Sequence, residues 1–362
     1  MQRDFTIYLE NMISRYQCAL KLNDFVSFFE SLFHHQIFYI FTRMNQRTGK
    51  VLKSTGLWYE VLLPSNDIIS CRIRGKMRLD GLRSTNPIAV GDQVILENDS
   101  DNEGKGLIID YLPRENYIVR KSTNLSKHLH ILAANIDRAY LMVTLKHPQT
   151  HTVFIDRFLV AAESFRIPVS LLFNKIDLLN QDELKELELI KKMYLQIGYP
   201  CYSFSALNPT EIEFLANEIN GKQVMIAGHS GTGKSTLVNA LDPGLQLRVG
   251  EISSAHHQGQ HTTTFAEMHP IRSGGFIIDT PGIRAFGVVE LEKPVISHYF
   301  PEMRELIGAC KFHNCQHLNE PGCAVKNAIE SGEIFESRYA TYLQLMLDEE
   351  EDVYRRNKRN EG

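Results

Sequence analysis

The sequence predicts an α/β domain built on a mostly parallel sheet, preceded by a small all-β barrel and followed by a helical region that carries a cluster of metal-ligand side chains. Three observations predict this. Between Met44 and about Glu115, short alternating runs ("GLWYEVLL", "IISCRIRGKM", "DQVILE") are punctuated by Gly, Pro, Asn and Asp, the pattern of small barrels. After Tyr117, apolar runs at Arg138–Leu145, Pro168–Phe173, Cys201–Phe204, Gln223–Ala227 and Gly275–Ile278 alternate with helical stretches, as in a parallel sheet covered on both faces. Beyond about Phe286 the pattern turns helical, with Cys310, Cys315 and Cys323 in its midst. The implied units are residues 1–43 (an extension), 44–115 (barrel), 116–285 (α/β domain) and 286–362 (helical region).

Composition narrows the classes. The 362 residues, 43% apolar and 23% charged, suffice for two or three compact domains. A formal net charge of −4 excludes the strongly basic composition of a purely electrostatic nucleic-acid binder, so any RNA contact has to come from a local patch. The most apolar stretch, Phe25–Phe41, contains Glu30, His34 and His35 and falls short of the roughly 20 apolar residues of a spanning helix. No membrane association and no signal peptide are predicted. Of six cysteines, Cys18, Cys71 and Cys201 are scattered and the other three clustered, which suits metal binding in a reducing compartment, with the cytoplasm as the expected location.

The first 43 residues are aromatic-rich and irregular, and the texture changes at Met44. Either Met44 is the natural start or the segment is a helical extension; the intact mass of the natively expressed protein separates the two. In the barrel, Arg72, Arg74, Lys76 and Arg78 are two apart and share one face if their strand runs unbroken through Gly75. With Trp58 and Tyr59 on a neighbouring strand, that face could track a phosphate backbone and stack bases; the alternative is a solvated edge with a core Trp. In the α/β domain, Leu184, Leu187, Ile190 and Tyr194 recur at helical spacing over Asp182–Ile197, with Gly198 as the cap, and read as core. The end, "DEEEDVYRRNKRNEG", suits a frayed, solvated helix.

The chemistry lies at the ends of the predicted parallel strands. Gly228-x4-Gly233-Lys234-Ser235 falls directly after one strand and before a helix, the setting a phosphate loop needs. Glycines let the backbone wrap phosphates with its N–H groups inward, and the helix N-terminus adds a favourable dipole. Lys234 is expected to reach the β- and γ-phosphates and the Ser235 hydroxyl to ligate Mg²⁺. The base is expected to be chosen by Asn174-Lys175-Ile176-Asp177, which ends the strand "IPVSLLFNK" and resembles the guanine-specificity motif of GTPases, with Asn174 supporting the loop and contacting the base edge and the Lys175 stem over the ring. A carboxylate at Asp177 can accept from both guanine N1–H and N2–H₂, a donor pair that adenine lacks there. Ser205-Ala206, after the next strand, resembles the Ser-Ala motif of GTPases, which implies a backbone that donates to guanine O6. The expected nucleotide set is Asn174, Lys175, Ile176, Asp177, Ser205, Ala206, Gly228, His229, Ser230, Gly231, Thr232, Gly233, Lys234, Ser235, Thr236 and Gly282.

Because the base-reading loops precede the phosphate loop, the fold class is that of a circularly permuted P-loop GTPase domain. Asp279-Thr280-Pro281-Gly282 closes it, with Asp279 expected to hold Mg²⁺ through water and the Gly282 N–H to meet the γ-phosphate. Between lies "GQHTTT", Gly259–Thr264, in a Gly-, Ser- and His-rich loop where one of Thr262 and Thr263 is expected to complete the Mg²⁺ shell. Many GTPases place a water-orienting Gln right after that Gly, but Ile283 occupies the position here. His261 is the candidate catalytic residue instead, with His256 and His257 as rivals and a contact to RNA or solvent as the bland alternative. In the helical region Cys310-x4-Cys315-x-His317-x5-Cys323 supplies three thiolates and an imidazole, a set that favours one tetrahedral, structural Zn²⁺. His313 could replace His317; free thiols or a redox disulfide are the alternatives to zinc.

Over about residues 44–350 these motifs, in this order, resemble the circularly permuted small ribosomal subunit biogenesis GTPases, the RsgA (YjeQ/YloQ) family. The resemblance implies an OB-fold barrel and a cytoplasmic, mostly monomeric GTPase. Such a protein binds the small (30S) ribosomal subunit late in maturation, contacts rRNA through the barrel and zinc domains, hydrolyses GTP to GDP and phosphate under stimulation by the ribosome, and then leaves. The chain departs from the pattern in its first 43 residues and at Gln260, where many relatives have Arg. Two competing readings are a permuted GTPase of the large subunit, whose members generally lack this barrel-plus-zinc arrangement, and an RNA-binding scaffold that holds the nucleotide structurally, which Ile283 favours.

Overall fold

The computed structural model describes residues 47–75, 87–99, 102, 104–121, 129–245, 266–279 and 291–347. The barrel comprises β1 (Arg47–Ser54), β2 (Tyr59–Leu62), β3 (Ile68–Ile73), β4 (Gln93–Asn98) and β5 (Gly106–Tyr111). Pairing runs β1–β2–β3–β5–β4 and back to β1, with only β3–β5 parallel, so the sheet closes on itself. Closure leaves no free edge within the barrel and buries Val51, Val61, Cys71, Val94 and Ile108 completely. A hairpin of β6 (Tyr117–Lys121) and β7 (Leu129–Ala134) follows and touches the barrel through the Val90–Ala133 bridge.

The α/β domain has strand order β10-β9-β8-β11-β13-β12, formed by β8 (Arg138–Val143), β9 (Val169–Asn174), β10 (Cys201–Phe204), β11 (Gln223–Gly228), β12 (Glu267–Pro270) and β13 (Phe276–Asp279). All pairings are parallel except that of β12 with β13. Both faces are covered, which explains the unbroken apolar runs. Ala139, Leu141 and Val143 of β8 pack with α1 (Thr152–Ser164) and α2 (Gln181–Ile197), while Tyr140 and Met142 pack with α3 (Pro209–Ile219) and α4 (Lys234–Leu241). α2 begins with a reciprocal box between Asn180 and Glu183 and ends at Gly198 with φ 108°. Its predicted stripe is core: Leu187 and Tyr194 are buried, and Leu184 and Ile190 pack against the same cluster.

β11, the strand that feeds the phosphate loop, lies centrally, yet three strands of its sheet, β8, β9 and β10, come earlier in the chain. The permuted order read from the motifs is therefore the order of the sheet. Barrel and α/β domain meet where β1 pairs with β12 at Lys53 and Glu267, whose side chains form an ion pair at 3.1 Å.

The C-terminal region contains a 3₁₀ segment (Lys293–Tyr299), α5 (Pro301–Arg304), α6 (Ala324–Glu330) and α7 (336–347). Its core of Ile296, Phe300, Met303, Val325, Tyr342 and Met346 includes Val160 of α1. Beside it Arg338, fully buried, donates to Asp156 of α1 at 2.8 Å and to Glu302 at 2.6 and 3.2 Å. Asp156 also accepts from Tyr194 and Thr341, each at 2.8 Å. Burial pushes the Asp156 carboxyl up, and the Arg338 charge with these donors opposes it. The acidic-basic tail and residues 1–46 lie outside the described residues.

Candidate nucleotide site and metal centre

Three loops converge at the C-terminal ends of β9, β10 and β11, and Asn174 braces them. Its side chain is buried; Nδ2 donates to the Thr232 carbonyl at 2.8 Å, and Oδ1 accepts from the Ala206 N–H at 2.8 Å. One amide thus ties the Asn174–Asp177 loop, the Ser205-Ala206 loop and the phosphate loop together. Its role is more that of a brace than of a base contact, because both polar atoms are engaged within the protein.

The phosphate loop needs glycine at both ends. Gly228 has φ 139°, and a Cβ there would lie 2.6 Å from the Met142 carbonyl oxygen; Gly233 has φ 99°, and its Cβ would lie 2.3 Å from Asn174 Nδ2. Lys234 opens α4 with its ammonium donating to the carbonyls of Gly228 at 2.9 Å and His229 at 2.6 Å, inside the loop. Thr232 is buried and donates to the His229 carbonyl at 2.9 Å; Ser235 is buried in the first turn of α4. The imidazole of His229 stacks on Phe154 of α1, with ring centroids 3.8 Å apart. Ser230, Gly231 and Thr236 complete the loop and the helix start.

Lys175 takes a left-handed conformation (φ 66°) and donates to the His147 carbonyl at 2.5 Å, and Ile176 and Asp177 begin the 3₁₀ turn Ile176–Leu178. The Ser205 N–H donates to Glu211 at 2.7 Å, fixing the second base loop. Asp279 ends β13, whose Ile278 pairs with Met225 of β11, so its backbone lies beside the phosphate loop strand. His256, His257, Gln260, His261, Thr262, Thr263, Gly282 and Ile283 lie outside the described residues.

Cys310, Cys315, His317 and Cys323 come together with all four donor atoms within 4.8 Å of one another. His317 Nδ1 is 3.6 Å from Cys310 Sγ and 3.4 Å from Cys323 Sγ, and the Ala324 N–H donates to Cys310 Sγ at 3.3 Å. All three thiols are free and face one another together with the imidazole. The cluster selects His317 over His313. Burial, together with the neighbouring thiols, pushes the Cys315 thiol up to about 12, so it gives up its proton only to a bound cation, and burial lowers His317, which keeps the imidazole neutral and able to ligate. The donor set fits a closed, structural zinc site. Supporting groups were not legible in the sequence: Tyr339 and Tyr342 donate to the carbonyls of His317 and Gln316 at 2.6 and 2.5 Å, and Glu320 accepts from the N–H groups of Gln316, Leu318 and Asn319.

On the barrel, the predicted basic face is interrupted. β3 ends at Ile73 and Gly75 turns with φ 66°, so the alternation that would align four basic side chains does not run through Gly75. Arg72 forms a two-pronged pair with the buried Asp99 at 2.9 and 3.1 Å, and Arg74 pairs with Glu97 at 2.7 Å; Lys76 and Arg78 lie outside the described residues. Trp58 is not core: it is 37% exposed, just before β2, with the Lys105 ammonium 4.4 Å from its ring. Among the described residues no helix is long and apolar enough to cross a membrane.

Two family models match the chain, the RsgA N-terminal domain over residues 48–108 and the RsgA GTPase over residues 111–289. A small ribosomal subunit biogenesis GTPase RsgA of Bacteroides fragilis is 50% identical over 309 residues, spanning 85% of this chain and 98% of the relative. Its counterpart in Christiangramia forsetii is 51% identical over 308 residues, with the same coverage. Among solved structures, YjeQ from Thermotoga maritima is similar with a TM-score of 0.69 and 35% identity over 84% of this chain and 98% of that one. YloQ, described as a circularly permuted GTPase, gives 0.67 and 30% over 85% and 96%.

Proposed function

The chain belongs to the RsgA GTPase family, and from that premise we propose that it hydrolyses GTP while assisting the late maturation of the small ribosomal subunit. The observation that carries this reading is the Asn174 brace, which joins a guanine-selecting loop to a phosphate loop across a permuted sheet. Asp177 accepts from guanine N1–H and N2–H₂ and the Lys175 stem lies over the base, whereas the Ser205 and Ala206 N–H groups, expected to donate to O6, are taken by Glu211 and Asn174 and hold the second base loop in place. The N–H groups of Gly228 to Thr236 and the Lys234 ammonium hold the phosphates, with the Gly282 N–H at the γ-phosphate. Ser235, Asp279 and one of Thr262 and Thr263 would hold Mg²⁺, which would supply positive charge to neutralise the phosphates.

Ile283 can neither accept nor donate a proton, so His261 orients the attacking water, with His256 and His257 the alternatives. The four-ligand centre holds one structural zinc that shapes the C-terminal region for RNA. The barrel contacts rRNA through exposed Trp58 as a stacking partner with Lys105 beside it, Arg72 and Arg74 being held by Asp99 and Glu97. The protein works as a cytoplasmic monomer whose turnover the ribosome stimulates, and GDP formation releases it. Cosedimentation tests the partner: with a non-hydrolysable GTP analogue the chain should pellet with purified small subunits and not with large ones. Equal binding to both, or equal binding with GDP, would sink the reading.

A further inference from the structure

The His229 side chain in the phosphate loop has no counterpart in the chemistry above, and neither does the buried Asp156–Arg338 pair. They are joined by one helix. We propose that Phe154 is a positioning residue for the phosphate loop, and that α1 is the strut through which the zinc-ligand region holds that loop. The inference rests on the guanine-nucleotide reading of the site.

At one end of the strut, the Phe154 ring stacks on the His229 imidazole at 3.8 Å with a tilt of 31°. The His229 carbonyl receives both the Lys234 ammonium at 2.6 Å and the Thr232 hydroxyl at 2.9 Å. A ring held by Phe154 therefore fixes the peptide that orients the lysine meant for the phosphates. Two residues along α1, within one turn, Asp156 is gripped by Arg338 and Thr341 of α7. α7 in turn holds the metal-ligand knuckle by its backbone, through Tyr339 on the His317 carbonyl at 2.6 Å and Tyr342 on the Gln316 carbonyl at 2.5 Å. Every link is a direct contact, and the middle ones are buried and charge-assisted, so displacement at either end is transmitted rather than absorbed. Coupling of this kind is reciprocal: if the knuckle stabilises the loop for nucleotide, nucleotide stabilises the knuckle by the same factor.

The test is a titration of the zinc-loaded full chain with fluorescent GDP. Phe154→Ala should weaken affinity about three- to tenfold, the worth of one aromatic pair, and Phe154→Tyr should restore it to within about twofold. Tyr339→Phe with Tyr342→Phe removes the knuckle hydrogen bonds while keeping the rings. That pair should weaken GDP binding about two- to fivefold in the parent chain and no further in the Phe154→Ala background. Saturating GDP should also tighten zinc retention against a chromophoric chelator in the parent chain and not in Phe154→Ala. Unchanged affinity in Phe154→Ala, or effects of the two sets that simply multiply, overturns the strut. A parent chain that binds no guanine nucleotide overturns the nucleotide reading itself, so the two failures are told apart.

Discussion

Replacing Arg338 by Met tests how the C-terminal region is attached. Arg338 is fully buried, and its guanidinium neutralises Asp156, also fully buried, and Glu302, whose side chain is 10% exposed. Methionine keeps much of the stem volume, including contact with the Phe300 ring that the guanidinium now covers at 4.6 Å. It leaves two carboxylates without their cation. Tyr194 and Thr341 still donate to Asp156, but they carry no charge. Breaking a buried pair by removing one partner costs about 3–5 kcal/mol, and the loss falls on the contact between α1 and α7. Urea unfolding followed by calorimetry should show a C-terminal transition displaced by that amount, with zinc released earlier. Because the buried Asp156 carboxyl has to take up a proton when the cation is gone, the variant should recover stability as pH falls from 8 to 5. Burial without the Arg338 charge raises the Asp156 carboxyl further in the folded variant, so the folded state binds more protons than the unfolded one and stability is lost as pH rises. Glu302→Gln together with Asp156→Asn in the Arg338→Met background should regain most of the loss. A single variant within about 1 kcal/mol of the parent at pH 8 would mean that the pair is solvated and the region is not docked as described.

Asp177→Asn exchanges a double acceptor for a side chain that also donates, so GTP affinity should fall at least about a hundredfold and xanthosine triphosphate should bind better than GTP; competition binding measures both. Asn174→Ala removes the brace and leaves the Ala206 N–H and Thr232 carbonyl unpaired, costing about 2–4 kcal/mol of nucleotide binding by the same assay. Cys323→Ser should reduce bound zinc, measured by elemental analysis, from about one equivalent to near zero and lower the thermal midpoint; acid should release the parent's zinc as protons compete for the thiolates. His261→Ala should bind GTP normally and lose turnover by about 10²- to 10⁴-fold with and without small subunits; wild-type rates would remove His261 from the mechanism.

The α/β domain was legible because its central strands are buried on both faces and so read as apolar runs of the right length. β12 was not, since Glu267–Pro270 is four residues of mixed character at the edge of the domain's sheet, and its pairing comes from β13 and β1. The metal ligands were readable from side-chain chemistry alone, but the choice of His317 over His313 was not. It depends on a backbone turn at His317, with φ 57°, that brings the ring back onto the cysteines. The barrel's basic spacing overstated the surface: Asp99 and Glu97, more than twenty residues away in sequence, take up Arg72 and Arg74. Likewise nothing local marks Asp156 and Arg338 as partners, because they lie 182 residues apart and each sits in an ordinary amphipathic helix.

As a small ribosomal subunit biogenesis GTPase, the chain should turn over GTP at this permuted site in response to the small subunit. Steady-state phosphate release from GTP, with and without purified small subunits and with large subunits as control, tests it most directly. Turnover should be slow alone, strongly stimulated by small subunits only, and lost in both conditions when Lys234 is replaced by Ala. Turnover that small subunits leave unchanged, or that survives Lys234→Ala, would contradict it.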